Sequence, residues 1–327
     1  MMQEEVLINL EGFVEKQLPL LKSVEESWQP GDFLPDMASD RWQGEVEALR
    51  ARAKSIPDDL LVVLVGNTVT EEALPSYQTW LNRPPGLKDE TGASVNPWAL
   101  WTRGWTAEEN RHGEVLGRYL YLSGRVDMRS VEVTTQHLIR NGFDLKSGND
   151  AYKAFVYVAF QERATKVSHA NVGRLAEGYG DPLLARICST VAADEARHEE
   201  AYKRIFGMIL VEDPSNAVLA LDEMVSQKVV MPARLMSDGA DGDLFEHFAL
   251  VAQRAKIYTV RDYAAILDHL MHYWNIAGLT GLEPEAARAQ ERLCGLADHY
   301  QKRADRFDEV IARAPKERFR WIFNREI

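Results

Sequence analysis

Thiols, excess basic charge, long apolar runs and strand patterning are all scarce in this chain. With only Cys188 and Cys294 present, no disulfide framework and no cysteine-based zinc site is indicated, and both residues are expected to be buried among apolar neighbours. Basic residues number 38 against 50 acidic ones, a net charge of −12, which argues against general binding to nucleic acid or to an anionic membrane surface. The longest aliphatic run, Leu60 to Val65, is far too short to cross a bilayer, so no membrane insertion is expected. The opening residues Met1-Met2-Gln3-Glu4-Glu5 lack the basic and apolar regions of a secretion signal and the Arg-rich character of a transit peptide, which gives a cytoplasmic location as the expectation. Alternation is brief, at Val131-Glu132-Val133-Thr134, and lies between helical patterns. The chain reads as all-α.

What is present is a repeated string. Glu108-Glu109-Asn110-Arg111-His112 and Asp194-Glu195-Ala196-Arg197-His198 share the order acid, Glu, any residue, Arg, His. Residues i and i+3 face the same side of an α-helix, so Glu109 with His112 and Glu195 with His198 each offer a carboxylate and an imidazole to one metal ion. A four-helix two-metal site needs two such pairs and one further Glu from each of the other two helices. Candidates stand upstream of each pair: Glu71 in Thr70-Glu71-Glu72-Ala73-Leu74, and Glu162 in Phe160-Gln161-Glu162-Arg163-Ala164-Thr165.

Each candidate falls on an apolar stripe. Leu64, Asn67, Glu71 and Leu74 step by three or four, as do Trp105, Glu109, His112, Leu116 and Tyr119. Phe155, Val158, Glu162 and Thr165 form a third stripe, and Val191, Glu195, His198, Tyr202 and Ile205 a fourth. The acids therefore face the core, where carboxylates without counter-charge cost several kcal/mol. Four carboxylates and two neutral imidazoles carry a charge of about −4, which two divalent ions balance, and mixed oxygen and nitrogen ligation suits iron or manganese.

Turn residues bound the four helices independently. Asn82 to Asn96, with Pro84, Pro85, Gly86 and Gly92, reads as a loop; Asn141, Gly142 and Gly148 mark a second break, and Gly178, Gly180 and Pro182 a third. Pro75, one turn after Glu71, predicts a kink or a helix end, because its nitrogen has no hydrogen to donate. After Pro232, Asp238 to Asp243 reads as a flexible acidic loop, followed by two or three amphipathic helices over roughly 244–281 and 284–313. With 46% hydrophobic and 27% charged residues and no evident linker, residues 1–327 read as a single domain with an N-terminal arm and C-terminal helices. Basic clusters at Arg50, Arg52 and Lys54 and at Arg313 to Arg325 read as solvated surface.

These motifs resemble those of the soluble acyl-ACP desaturases, the plant stearoyl-ACP type in particular. Thr70 to Pro75, Trp105 to Gly113, Phe160 to Thr165 and Asp194 to Glu199 carry the likeness, which runs from about Trp28-Gln29-Pro30 to Trp321-Ile322-Phe323. The resemblance implies a ferritin-like four-helix bundle core with additional helices, assembled as a homodimer. It implies a di-iron centre that uses O2 and two electrons, usually from ferredoxin, to place a cis double bond in a fatty acyl chain held on acyl carrier protein. The matching iron ligands are Glu71, Glu109, His112, Glu162, Glu195 and His198, with Glu109 and Glu195 as the bridges. Asp194 matches an acid that orients a ligating imidazole, and Thr165 a hydroxyl near the oxygen-binding side. The resemblance implies that the loop Arg83-Pro84-Pro85-Gly86 and Ala154 beside Phe155 fall where the family's acyl channel is lined or supported. Carrier protein is acidic, so docking on this acidic chain requires a local basic patch, for which Lys16 and Lys22 are the nearest offer. Other readings of the same ligands are a di-iron acyl oxygenase or hydroxylase, a ferritin-like iron-oxidising protein, or a noncatalytic homologue that binds acyl carrier protein.

Overall fold

Apolar stripes and turn residues account for most of the helices in the computed structural model, which describes residues 2–227 and 231–327. Short helices α1 (Gln3–Asn9) and α2 (Glu11–Glu15) begin an arm that continues as extended chain and single turns to α3 (Trp42–Ala53). Four helices then lead toward the bundle's first half: α4 (Asp58–Glu72), α5 (Leu74–Leu81), α6 (Pro97–Ser123) and α7 (Met128–Asn141). The second half is α8 (Ala151–Gly178) and α9 (Pro182–Glu212), followed by α10 (Pro214–Ser226). Outside these lie α11 (Leu244–Arg254), α12 (Val260–Tyr273), α13 (Pro284–Cys294) and α14 (Leu296–Ala312).

The boundaries have local causes. Asn96, Asp150 and Asp181 each cap a helix by accepting a hydrogen bond from the amide three residues on, at Ala99, Lys153 and Leu184. Gly124, at φ 65°, ends α6 in the left-handed conformation that glycine adopts without strain. Pro75 ends α4 rather than kinking it: the helix stops at Glu72, and the proline sits in the first turn of α5, where a missing N–H costs nothing. Val131 to Thr134 lie inside α7.

Three expectations change. The segment after residue 243 forms four helices instead of two or three, because Lys256 and Asn275 take positive φ and Thr259 with Asp262 builds a capping box that starts α12 afresh. The stretch Asp238 to Asp243 is organised by a buried carboxylate, Asp238, which accepts from the amides of Ala240 and Asp241. Cys188 is buried, but Cys294 is exposed, since Ala286, Ala289 and Leu293 take the inward face of α13.

Helices α4, α6, α8 and α9 pack as the central bundle, with α8 lying along α9, α4 against α6 and α8, and α6 against α9. Two apolar clusters divide this bundle along its length. On α6, Trp98, Trp101 and Trp105 belong to one cluster and Leu116, Tyr119 and Leu120 to the other. On α9 the change comes between Val191 and Ala201. Glu109, His112, Glu195 and His198 occupy those changeovers, so a polar layer crosses the bundle between two apolar ones. Gly66 permits the outer packing: a Cβ there would stand 2.0 Å from the ring of Phe248 on α11. The terminus closes as a two-residue hairpin, pairing Arg318 with Glu326 and Phe319 with Arg325.

Trp321, fully buried, pins that terminus to the bundle by donating to Thr134 Oγ1 at 2.9 Å, while its carbonyl accepts from Asp127. Trp321→Ala is expected to lower unfolding free energy by about 3–5 kcal/mol in a denaturant titration. A loss below 1 kcal/mol would show that the terminal segment is not part of the cooperative unit.

Candidate metal centre

All six acids and imidazoles expected at the centre are buried, none more than 7% exposed. They form two groups whose ligand atoms lie within 4.8 Å of one another: Glu71, Glu109, His112 and Glu195, and Glu109, Glu162, Glu195 and His198. Glu109 and Glu195 belong to both groups, the placement expected of bridging carboxylates. His112 points Nδ1 at Glu109 (3.1 Å) and Glu195 (3.3 Å); His198 points Nδ1 at Glu109 (2.7 Å) and Glu162 (3.5 Å). Yet Glu109 Oε1, Glu195 Oε1 and His198 Nδ1 have no hydrogen-bond partner. Buried polar atoms that crowd together without hydrogen-bonding are costly unless something else satisfies them, and an oxygen and nitrogen donor set of this kind fits divalent iron or manganese.

The electrostatics agree. Burial pushes the carboxyls of Glu71 and Glu162 up, and neighbouring carboxylates push them further. Burial opposes charge on His112 and His198, but the carboxylates around them, Glu109 foremost, prevail and raise both imidazoles well above their ordinary value.

The repeated string has a second use. His198 turns Nε2 to Glu108, the first acid of the other string, at 3.0 Å, and His112 turns Nε2 to Asp194 at 3.5 Å. Each string's leading acid therefore supports the other string's histidine, which fixes ring orientation and leaves Nδ1 facing the cluster. Asp194 is buried, not solvated; it also accepts from Trp28 Nε1 (2.8 Å) and Arg197 (2.5 Å). Arg197 spans to Glu108 at 2.6 Å, and buried Arg111 lies 3.6 Å from Asp194. Burial opposes charge on both acids, but the imidazole that each faces, His112 or His198, together with Arg197, holds the Asp194 carboxyl low and keeps Glu108 at about 2. The arm seals the network: the backbone amide of Lys22 donates to Glu108, while the residue itself is exposed.

Two supports escaped the sequence reading. His169 Nε2 meets Glu71 Oε1 at 2.8 Å, and Trp105 Nε1 donates to Glu162 Oε1 at 3.0 Å. His169 extends the stripe of Glu162 and Thr165 by one more turn, and Trp105 stands on the stripe of Glu109, so helical spacing carried a signal for both. Thr165 reaches the centre's edge, but its hydroxyl donates to the carbonyls of Gln161 and Glu162.

Two adjoining cavities flank the cluster and share Thr70, Glu71, Gln161, Thr165 and Pro232 as walls. The outer one, about 340 Å³, is lined by Val63, Phe245, Phe248, Tyr263 and Tyr300 and by Phe307, which is 40% exposed, so it reaches the surface at α14. The inner one, about 70 Å³, touches Glu109, Glu162 and Glu195 and ends on aromatic rings. Neither Ala154 nor any residue of Arg83 to Gly86 lines either of these two cavities. The inner end stops at Tyr157, a turn short of Ala154, and Gly86 packs on Leu7.

Because metal must displace the proton that each raised histidine retains, divalent-ion affinity is expected to climb from about pH 6 to about pH 8, as read by competition with a chromophoric chelator. Affinity independent of pH would refute this. Glu108→Gln is expected to weaken binding about 10- to 100-fold in the same titration; full affinity would show that the acid does not support His198.

No helix among the described residues is long and apolar enough to cross a membrane. The family profile described as fatty acid desaturase matches residues 2–323. The rice protein stearoyl-acyl-carrier-protein 9-desaturase 1, chloroplastic (Oryza sativa subsp. indica), is 54% identical over 327 residues, covering 99% of this chain and 86% of the relative. The chloroplastic stearoyl-acyl-carrier-protein 9-desaturase of Simmondsia chinensis is 51% identical over 324 residues, covering 99% and 81%. The cytoplasmic expectation gains nothing from relatives named for the chloroplast. The structure of DesA2 from Mycobacterium tuberculosis H37Rv, named for acyl-ACP desaturation, superposes with a TM-score of 0.55 at 20% identity, covering 87% of this chain and 99% of that one, and supports the fold. The chain belongs to the fatty acid desaturase family, a family of oxidoreductases.

Proposed function

We propose that Glu71, Glu109, His112, Glu162, Glu195 and His198 hold two iron ions and that the protein desaturates a fatty acyl chain carried on acyl carrier protein. The observation that carries this reading is the pair of ligand groups sharing Glu109 and Glu195 beside a mostly apolar cavity open at α14. Relatives sharing about half of the residues are named for the same substrate class and reaction. The balance is that two adjacent methylenes give up two hydrogens, and O2 takes these with two supplied electrons and two protons to form two waters. Iron, when bound, supplies the oxidising power for an unactivated methylene that no side chain possesses.

The residues supply position. Glu109 and Glu195 would bridge, with Glu71 and Glu162 at the two ends, each steadied by a ring nitrogen of His169 or Trp105. Glu108 and Asp194 keep the histidines aimed inward. Thr165 and Gln161 stand where the two cavities meet beside the cluster, so the acyl methylenes that pass them are the ones to react. A ferredoxin-type electron donor and a homodimer follow from the family likeness and belong to the same proposal.

Iron-loaded, reduced protein is to be given O2, an electron donor and acyl carrier protein thioesters, with products read by mass spectrometry. Loss of one hydrogen pair is expected; gain of oxygen would make the protein an oxygenase, and unchanged chains with oxidised iron would refute desaturation. Glu109→Ala or His198→Ala is expected to abolish turnover and lower bound iron, and full desaturation in either variant would reject the ligand assignment.

A further inference from the structure

Of the four clustered carboxylates, Glu71 stands where its helix is least constrained. Glu109, Glu162 and Glu195 lie mid-helix in α6, α8 and α9, whereas α4 stops at Glu72, one residue beyond Glu71. The carbonyls of a last turn have no further turn to accept from, and the residue four on from Glu71 is Pro75, which has no N–H to offer. His169 holds the Glu71 carboxylate, but the backbone that aims it has to be held from outside α4.

Glu72 meets that need. About 100° further round the helix, it turns toward α6 and α7. Its side chain lies in a notch that Gly113 and Gly117, one turn apart, leave in the face of α6. A Cβ at Gly117 would stand 2.6 Å from Glu72 Oε1; one at Gly113 would stand 3.0 Å from Glu72 Cγ, 3.1 Å from its backbone nitrogen and 3.3 Å from the carbonyl carbon of Glu71. Neither glycine takes a positive φ, so what they supply is room. The other oxygen, Glu72 Oε2, accepts a hydrogen bond of 3.0 Å from Thr135 Oγ1, a buried residue of α7. One side chain thus joins three helices, and the peptide between Glu71 and Glu72 lies against the backbone that follows His112.

We infer that Glu72 is a positioning residue: clamped between Thr135 and the notch of Gly113 and Gly117, it fixes the last turn of α4 and so aims Glu71 at the metal position that Glu71 shares with His112. The inference rests on the proposed ligand set. It concerns one position of the two, because Glu71 and His112 belong to one ligand group while Glu162 and His198 complete the other.

The test titrates metal-free protein with iron(II), without oxygen and against a chromophoric chelator, and reads the number of ions bound and the affinity of each step. Wild type is expected to take two ions. Glu72→Ala and Thr135→Val are each expected to weaken one step by about 10- to 100-fold, the loss typical when a support of a metal ligand is removed, and to leave the other step unchanged. Glu72→Gln keeps the length of the side chain and an oxygen for Thr135 to donate to, so it is expected to bind as wild type does. A role confined to folding would move both steps together or neither. Equal weakening of both steps therefore overturns the inference, as does wild-type affinity at both steps in Glu72→Ala and Thr135→Val. Fewer than two ions on wild type would instead refute the ligand set, and the inference with it.

Discussion

Four carboxylates share the interior of one helical bundle, and most of the architecture around them manages that charge. Burial, with neighbouring carboxylates, pushes Glu71 and Glu162 up, while His112 and His198 outweigh burial and hold the Glu109 carboxyl low. Such an arrangement stores a demand for cations in the heart of the fold. Divalent metal would meet the demand with the same donor atoms, and metal affinity and proton release would then be one equilibrium. The apolar clusters on either side offer the charges a poorly polarisable surrounding, which strengthens the interactions between them.

Support for the cluster is arranged as a cross-brace. Glu108 and Asp194 each hold the histidine of the opposite helix, and Arg197 touches both acids, so α6 and α9 are tied by charge as well as by packing. The two sides are not equivalent. Asp194 also takes the indole of Trp28, whose ring stacks on His112 at 6.1 Å between centroids, whereas Glu108 takes the amide of Lys22. The arm from Leu18 to Trp28 therefore belongs to the environment of the centre, although it contributes no ligand.

Helical spacing made the bundle readable, because a buried helix shows its facing side as a stripe of period 3.6 and its ends as capping or breaking residues. The loop from Asn82 to Asn96, the break at Asn141 and Gly142 and the start at Pro182 lie where turn chemistry puts them. The C-terminal helices were harder to divide. Lys256 and Asn275 end segments with positive φ although neither is glycine, and only local packing makes that conformation worthwhile. Cys294 is exposed for a related reason: Leu293 takes the inward position, and one residue's shift around a helix exchanges buried for exposed.

Spacing along single helices is enough to give the all-helical class and the repeated pair of Glu-x-x-His motifs with two further glutamates. The sequence also contained the leading acid of each string, but not its target. Tertiary structure alone decided that Glu108 serves His198, that His169 and Trp105 hold Glu71 and Glu162, and that Tyr77, Trp80, Phe143 and Tyr157 close the inner cavity instead of Ala154. Those partners come from different helices and loops, and the angle and depth at which the helices pack decide whether their side chains meet.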